Sequence, residues 1–187
     1  PYDQALSDKA RELAESVFPM LQRLDAQAGE RARSRRIDAQ GNQLQPHQFR
    51  SLQRTIQLRT GLVFLEKARL FAESAPDRAE ALVKASDLLR RLATVSSNDP
   101  TMWQSQIAYA TTLRLRGTPA AAWAMVNAIH EDNPPADIQN SLTVEHVELL
   151  SAEGRFTDAA DFLRQYRITH PQLSGPLNFL MARVFLR

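Results

Sequence analysis

The chain has 187 residues, of which 43% are hydrophobic and 24% are charged. These fractions are those of an ordinary globular protein, and the length is sufficient to bury a core. The absence of cysteine excludes disulfides, thiolate metal sites and thiol nucleophiles, and it is compatible with a reducing compartment. No apolar run approaches the roughly 20 residues that a membrane-spanning helix needs, so we expect no membrane insertion.

Apolar residues recur at helical spacing along almost the whole chain, and no segment needs to be a strand. The first helical segment contains Pro19, which predicts a kink or a split. Pro46 opens a second long helix, and Asp77 followed by Glu80 is a capping-box pattern at the start of a third. The predicted helices are 3–33, 46–74, 77–95, 100–116, 119–131, 137–152, 157–168 and 175–187.

The second half of the chain contains an internal repeat. The stretch "GTPAAAWAMVNAIHEDNP" (117–134) has its Gly, Ala and Pro in the positions that they occupy in "GRFTDAADFLRQYRITHP" (154–171), 37 residues later. Ala85 precedes Ala122 and Ala159 at the same period, and the same apolar helix face follows each alanine. A helix pair of this kind cannot bury its apolar face alone, which predicts that successive pairs stack side by side.

The repeat resembles the tetratricopeptide repeat family. The residues that carry the resemblance are Trp103, Gly117, Ala122, Val126 and Pro134, and in the next copy Gly154, Phe156, Ala159, Leu163 and Pro171. The resemblance implies an all-α, right-handed superhelix over residues 77–187, with an incomplete last repeat. Residues 1–76 are expected to form long helices that pack on or cap this array. A generic solenoid of helical hairpins is the alternative.

Patterns typical of catalytic and cofactor sites are not found in the sequence. The six glycines are too widely spaced for a phosphate-binding loop, which excludes Walker and dinucleotide fingerprints. His130 and His146 lie beside carboxylates but lack the helical spacing of a zinc protease pair, so we expect both on solvated faces. We therefore expect no catalytic residue, no metal and no cofactor.

A stacked array presents a concave surface formed by the first helix of each pair, and such surfaces receive a peptide or a partner helix. The register set by Trp103 predicts the following groove-facing residues: Gln104, Ala108, Thr111, Ser141, Glu145, Glu148, Asn178 and Ala182. Because this surface carries an acidic patch, we expect a basic or neutral segment of another protein as the partner. No lysine lies on it to hold a C-terminal carboxylate, so Arg114 and Arg183 are the cations that could substitute.

The last predicted helix, "PLNFLMARVFLR" (176–187), has apolar residues on most sides, whereas a terminal repeat normally has a polar outer face. We therefore expect that the chain is a segment of a longer protein. We also expect the isolated chain to self-associate through this helix. The candidate contacts are Leu180, Val184 and Phe185.

Two further functions stay open. Seven arginines but only two acidic residues lie between Glu30 and Arg59, and a basic block of this kind can bind nucleic acid. Phe49 is its one aromatic residue, which does not favour the stacking of single-stranded bases. The other alternative is a structural spacer or oligomerisation element within a larger protein.

Overall fold

The computed structural model describes residues 4–33, 45–94, 101–171 and 175–185, and all regular structure in these ranges is helical. The all-α prediction is therefore confirmed for the described part of the chain. The helices are α1 (Gln4–Arg33), α2 (Pro46–Arg69), α3 (Pro76–Ala93), α4 (Thr101–Leu115), α5 (Pro119–Glu131), α6 (Ala136–Ala152), α7 (Phe156–Thr169) and α8 (Gly175–Phe185).

The first of two compact units, Pro1–Ala108, contains α1 to α3, and α2 packs against both of its neighbours. Phe18 of α1 stacks on Phe64 of α2, with 4.2 Å between the ring centroids. Gly61 of α2 allows α3 to approach closely, because a Cβ atom at this position would lie 2.8 Å from Cδ2 of Leu89. The helices are therefore held by small and apolar residues at their contacts.

Prolines are the first residues of α2 and α3, and the structure differs from the sequence predictions for this unit at three points. Pro19 does not split α1, which is continuous through it. The second helix ends at Arg69 rather than at residue 74, and Ala75 rather than Asp77 is the N-cap of α3. Pro76 explains the cap, because its ring disfavours helical geometry in the residue before it and suits the first helical turn.

The second unit, Tyr109–Arg187, is arranged around α6, which packs against α5, α7 and α8. Helices α7 and α8 also contact each other. The core of these contacts consists of buried residues from three helices. They are Val147 and Leu150 of α6, Ala159, Ala160 and Leu163 of α7, and Leu177, Leu180 and Val184 of α8.

The internal repeat recurs in the backbone conformation. Gly117 and Gly154, which follow α4 and α6, have φ angles of 76° and 75°, the left-handed conformation that glycine adopts at helix C-termini. Each helix end is closed by a bond from the residue after the glycine to a carbonyl five residues earlier. These bonds are Thr118 N to Leu113 O at 3.0 Å and Arg155 N to Leu150 O at 2.9 Å.

The compact units divide at Ala108, whereas the sequence placed the start of the repeats at residue 77. That start, and the stacking of the pairs into a superhelix, stay predictions. No helix among the described residues is long and apolar enough to cross a membrane.

The small residues of the repeat lie inside the protein, since Ala122 and Ala159 each have 0% of their surface exposed. We expect Ala159→Leu to overpack the core of the second unit and to lower the free energy of unfolding by about 1–3 kcal/mol. Ala124→Leu, at an exposed position of α5, is the control and should change it by less than about 0.5 kcal/mol. Denaturant unfolding measures both, and equal midpoints would show that Ala159 is not a close contact.

Candidate functional site

A carboxylate lies buried in the middle of α6, within the second unit. The side chain of Glu145 is only 4% exposed. Its Oε2 accepts hydrogen bonds from Thr111 Oγ1 at 2.7 Å and from Arg114 Nη2 at 3.1 Å, and its Oε1 accepts one from Arg114 Nε at 2.7 Å. The bidentate pairing gives the strong geometry of an arginine–carboxylate contact and connects α4 to α6.

The same contact determines the ionisation of Arg114, whose side chain is 11% exposed. Burial acts to lower the pKa of this guanidinium, but the hydrogen bonds and the charge of Glu145, with the charge of Glu148, outweigh burial and raise it. Arg114 is therefore held in its charged form inside the unit. The guanidinium of Arg114 and the carboxylate of Glu145 stabilise each other, because an unpaired buried charge is strongly destabilising.

A second ion pair continues this network towards α8. Arg183 Nη2 lies 2.8 Å from Glu148 Oε2, and Arg114 Nη1 lies 3.9 Å from the same oxygen. Glu148 is one turn after Glu145 on α6, so two glutamates of α6 lie between an arginine of α4 and an arginine of α8. The acidic patch predicted from the sequence is thus neutralised by two arginines.

These charges border a cleft of about 200 Å³ on one side of the second unit. Its lining residues are Arg114, Glu148, Ser151, Ala152, Phe156, Arg183 and Val184. The volume exceeds that of an apolar cavity that holds one benzene molecule, ~150 Å³, and is smaller than a small-molecule site, which starts at ~300 Å³. The cleft therefore has the size for one side chain rather than for a cofactor.

Three of the predicted groove residues do not lie on an open surface. Ala108, Thr111 and Glu145 are 5%, 6% and 3% exposed. The prediction of a groove-facing position is wrong for them. The physical reason for Thr111 and Glu145 is that they bond to each other.

The other predicted groove residues are accessible to different degrees. Gln104, Ser141, Asn178 and Ala182 are exposed, and none of them lines the cleft. Glu148 is half-buried and does line it. Whether these residues bind a partner stays a prediction.

The sequence analysis named Arg114 and Arg183 only as substitutes for a lysine, and it did not predict Ser151 or Phe156 as site residues. Glu148 and Ser151 are three residues apart, which places them on the same face of α6, and this spacing could have identified Ser151. Phe156 reaches the cleft from the first residue of α7. No local pattern indicates this, because its position depends on how α7 packs on α6.

The C-terminal helix buries two of the three residues predicted for self-association. Leu180 and Val184 are 3% and 5% exposed, since they pack in the core of the unit. Their predicted role at an open contact is therefore wrong. Phe185 is 44% exposed, and the guanidinium of Arg164 lies 4.8 Å from its ring centroid. Phe179, which the sequence did not single out, is 68% exposed.

The expectation that His146 lies on a solvated face was also wrong, because its ring is covered by aromatic neighbours. It stacks on Phe162 at 4.1 Å between centroids and meets Trp123 edge-on at 4.9 Å. Burial, and then the nearby charges of His130 and Arg155, lower the pKa of His146 to about 4. Within the described ranges no three His, Cys, Asp or Glu side chains form a group that could hold a metal ion.

The basic block falls in the first unit, at the end of α1 and along α2. The guanidinium of Arg31 lies 6.0 Å from the ring centroid of Phe49, so the end of α1 lies beside the first turn of α2. Arg50 and Arg59 are exposed on α2. Arg35 and Arg36 lie outside the described residues.

Comparison with known proteins finds no match, whether with protein-family models, curated sequences or solved structures. The resemblance to tetratricopeptide repeats therefore stays a prediction from the residues that carry it. The function has to be inferred from the geometry of the chain itself.

The buried ion pair gives a first test of this site. Glu145→Ala removes the bidentate partner of Arg114, and we expect a loss of about 3 kcal/mol in the free energy of unfolding. Glu148→Ala is the control, and it should cost less than about 1 kcal/mol because this side chain is 24% exposed. A double replacement of Arg114 and Glu145 by leucine should recover part of the loss. Equal, small losses for Glu145→Ala and Glu148→Ala would contradict the role of burial.

His146 gives a second test through pH. The unfolded chain binds a proton at this histidine near pH ~6.5, whereas the folded chain excludes it until the pH approaches 4. Acidification below about pH 6.5 therefore favours unfolding, and the melting temperature should fall. His146→Phe keeps a ring against Phe162 and should reduce the fall, whereas His47→Phe, at an exposed position of α2, should not. Identical profiles for all three proteins would contradict the assignment.

Proposed function

We propose that the second unit is a protein-interaction module without catalysis of its own. In this proposal its helix pairs stack as a right-handed superhelix that resembles tetratricopeptide repeats. The recurrence of the same helix ending at Gly117 and Gly154 supports the assignment of the pairs, because each copy then makes the same turn into its second helix.

The observation that carries the proposal is the position of the cleft. Arg114 of α4, Glu148 of α6 and Arg183 of α8 line it. These three helices are the first helices of successive pairs. In a stacked array these are the helices that form the concave, ligand-binding side. The function is accordingly to receive a short segment of another protein there.

The lining chemistry favours a neutral segment with one apolar side chain. Ala152, Phe156 and Val184 provide apolar surface, while Glu148 and Arg183 provide one charge of each sign at the border. Because the two charges already satisfy each other, a charged partner would have to displace an existing pair. An aromatic or aliphatic side chain would instead cover apolar surface, which stabilises binding by ~25 cal/mol per Å².

Selection of random peptides displayed on phage against the chain tests this proposal, followed by affinity measurements with the selected peptides by fluorescence polarisation. Phe156→Ala and Arg183→Glu should each weaken binding by about tenfold or more. The first removes apolar surface from the cleft, and the second replaces the positive charge at its border by a negative one. Arg90→Glu, at an exposed position of α3, is the matched control and should leave the affinity unchanged.

The same measurements separate the alternatives. Failure to enrich any peptide, or affinities that the cleft variants do not change, would overturn the proposal. Binding of a labelled single-stranded oligonucleotide that falls steeply with added salt, and that Arg50→Glu weakens, would favour the nucleic-acid alternative, because released counterions produce such a slope.

A further inference from the structure

Helix α1 carries an apolar stripe that the described part of the chain leaves largely exposed. Leu13, Met20 and Leu24 are 67%, 56% and 42% exposed, and Val17 between them is half-buried. We call these four residues the α1 stripe. They follow one another at steps of four, three and four residues, which is the spacing of a coiled-coil seam.

The stripe is separate from the face of α1 that packs in the unit. Phe18 stacks on Phe64, and Asp25 accepts a hydrogen bond from Gln57 Nε2 at 3.0 Å, so α2 lies on that face. Because each residue of an α-helix advances by about 100°, the stripe lies about a third of a turn away from Phe18. Helix α1 therefore has two apolar faces, and α2 covers only one.

The charged residues beside the stripe favour the pairing of α1 with α1 of a second copy. Lys9 and Glu30 are both exposed, and they occupy the same flanking position relative to the seam near opposite ends of α1. A two-fold axis at the centre of the stripe brings Lys9 of one copy to Glu30 of the other, and it does so twice. In a parallel pairing Lys9 would face Ala14, so that arrangement forms no such ion pair.

We propose that two copies of this chain associate through the α1 stripe, with the two helices antiparallel about a two-fold axis. In this contact Leu13 lies opposite Leu24 of the second copy, and Val17 lies opposite Met20. Every apolar residue of the stripe thus meets another apolar residue, as a self-complementary interface requires. Pro19 is exposed and lies more than a quarter turn from the stripe, so its ring does not enter the contact.

Sedimentation equilibrium of the chain, from micromolar to millimolar concentration, tests the contact. The mass should rise from 21.1 kDa towards twice that value. Met20→Glu should remain monomeric over the whole range, because it places a charge at the centre of the seam. Val83→Glu, which changes an exposed apolar residue of α3 in the same unit (46% exposed), should still dimerise. Circular dichroism checks that each variant has the helicity of the parent chain.

Charge reversal tests the antiparallel arrangement separately. Lys9→Glu and Glu30→Lys should each weaken dimerisation by about tenfold, because each replaces two exposed ion pairs by two repulsions. The double variant Lys9→Glu/Glu30→Lys should return to the parent dissociation constant.

Three outcomes would overturn the proposal. The chain could stay monomeric at millimolar concentration, or its dimer could be insensitive to Met20→Glu, or the double reversal could fail to restore association. If Phe179→Glu rather than Met20→Glu abolished the dimer, the contact would lie on α8 instead.

Discussion

Fully buried small residues constrain how the helices of the second unit pack. Ala122 and Ala159 have no exposed surface, so a larger side chain at either position would press on the residues packed around it. Leu163 is fully buried with Ala159 in the core between α6, α7 and α8. Gly117 and Gly154, which follow α4 and α6, adopt the left-handed conformation that ends a helix and turns the chain into the next one.

The charged site is part of the same packing. A carboxylate at the position of Glu145 can be buried only because Arg114 and Thr111 satisfy it. Glu148, one turn later, brings Arg183 of α8 to the border of the cleft. The residues that stabilise the unit therefore also shape the surface at which we propose that a partner binds. A partner segment would meet a preformed, electrically balanced border rather than an acidic patch.

The first unit differs from the second, because the apolar surface of its longest helix, α1, is only partly covered. Thirty residues of α1 offer more apolar surface than α2 can cover, and the α1 stripe remains in solvent. Exposed leucines and a methionine at coiled-coil spacing are costly in water, and a second copy is the occupant that the positions of Lys9 and Glu30 favour. In this picture the two units have separate tasks, self-association and partner binding.

Helix positions were predictable from the sequence because they depend on local chemistry. The period of apolar residues, the prolines that begin α2 and α5, and Gly117 and Gly154 predicted the helix bounds to within about five residues. The repeat predicted that α4 and α6 end in the same way. What the sequence did not determine is which neighbour covers each face. Glu145 and Arg114 are 31 residues apart, and Val184 is buried against helices that precede it. A helical pattern shows which residues share a face, but only the tertiary structure decides whether that face meets solvent, a core or an opposite charge.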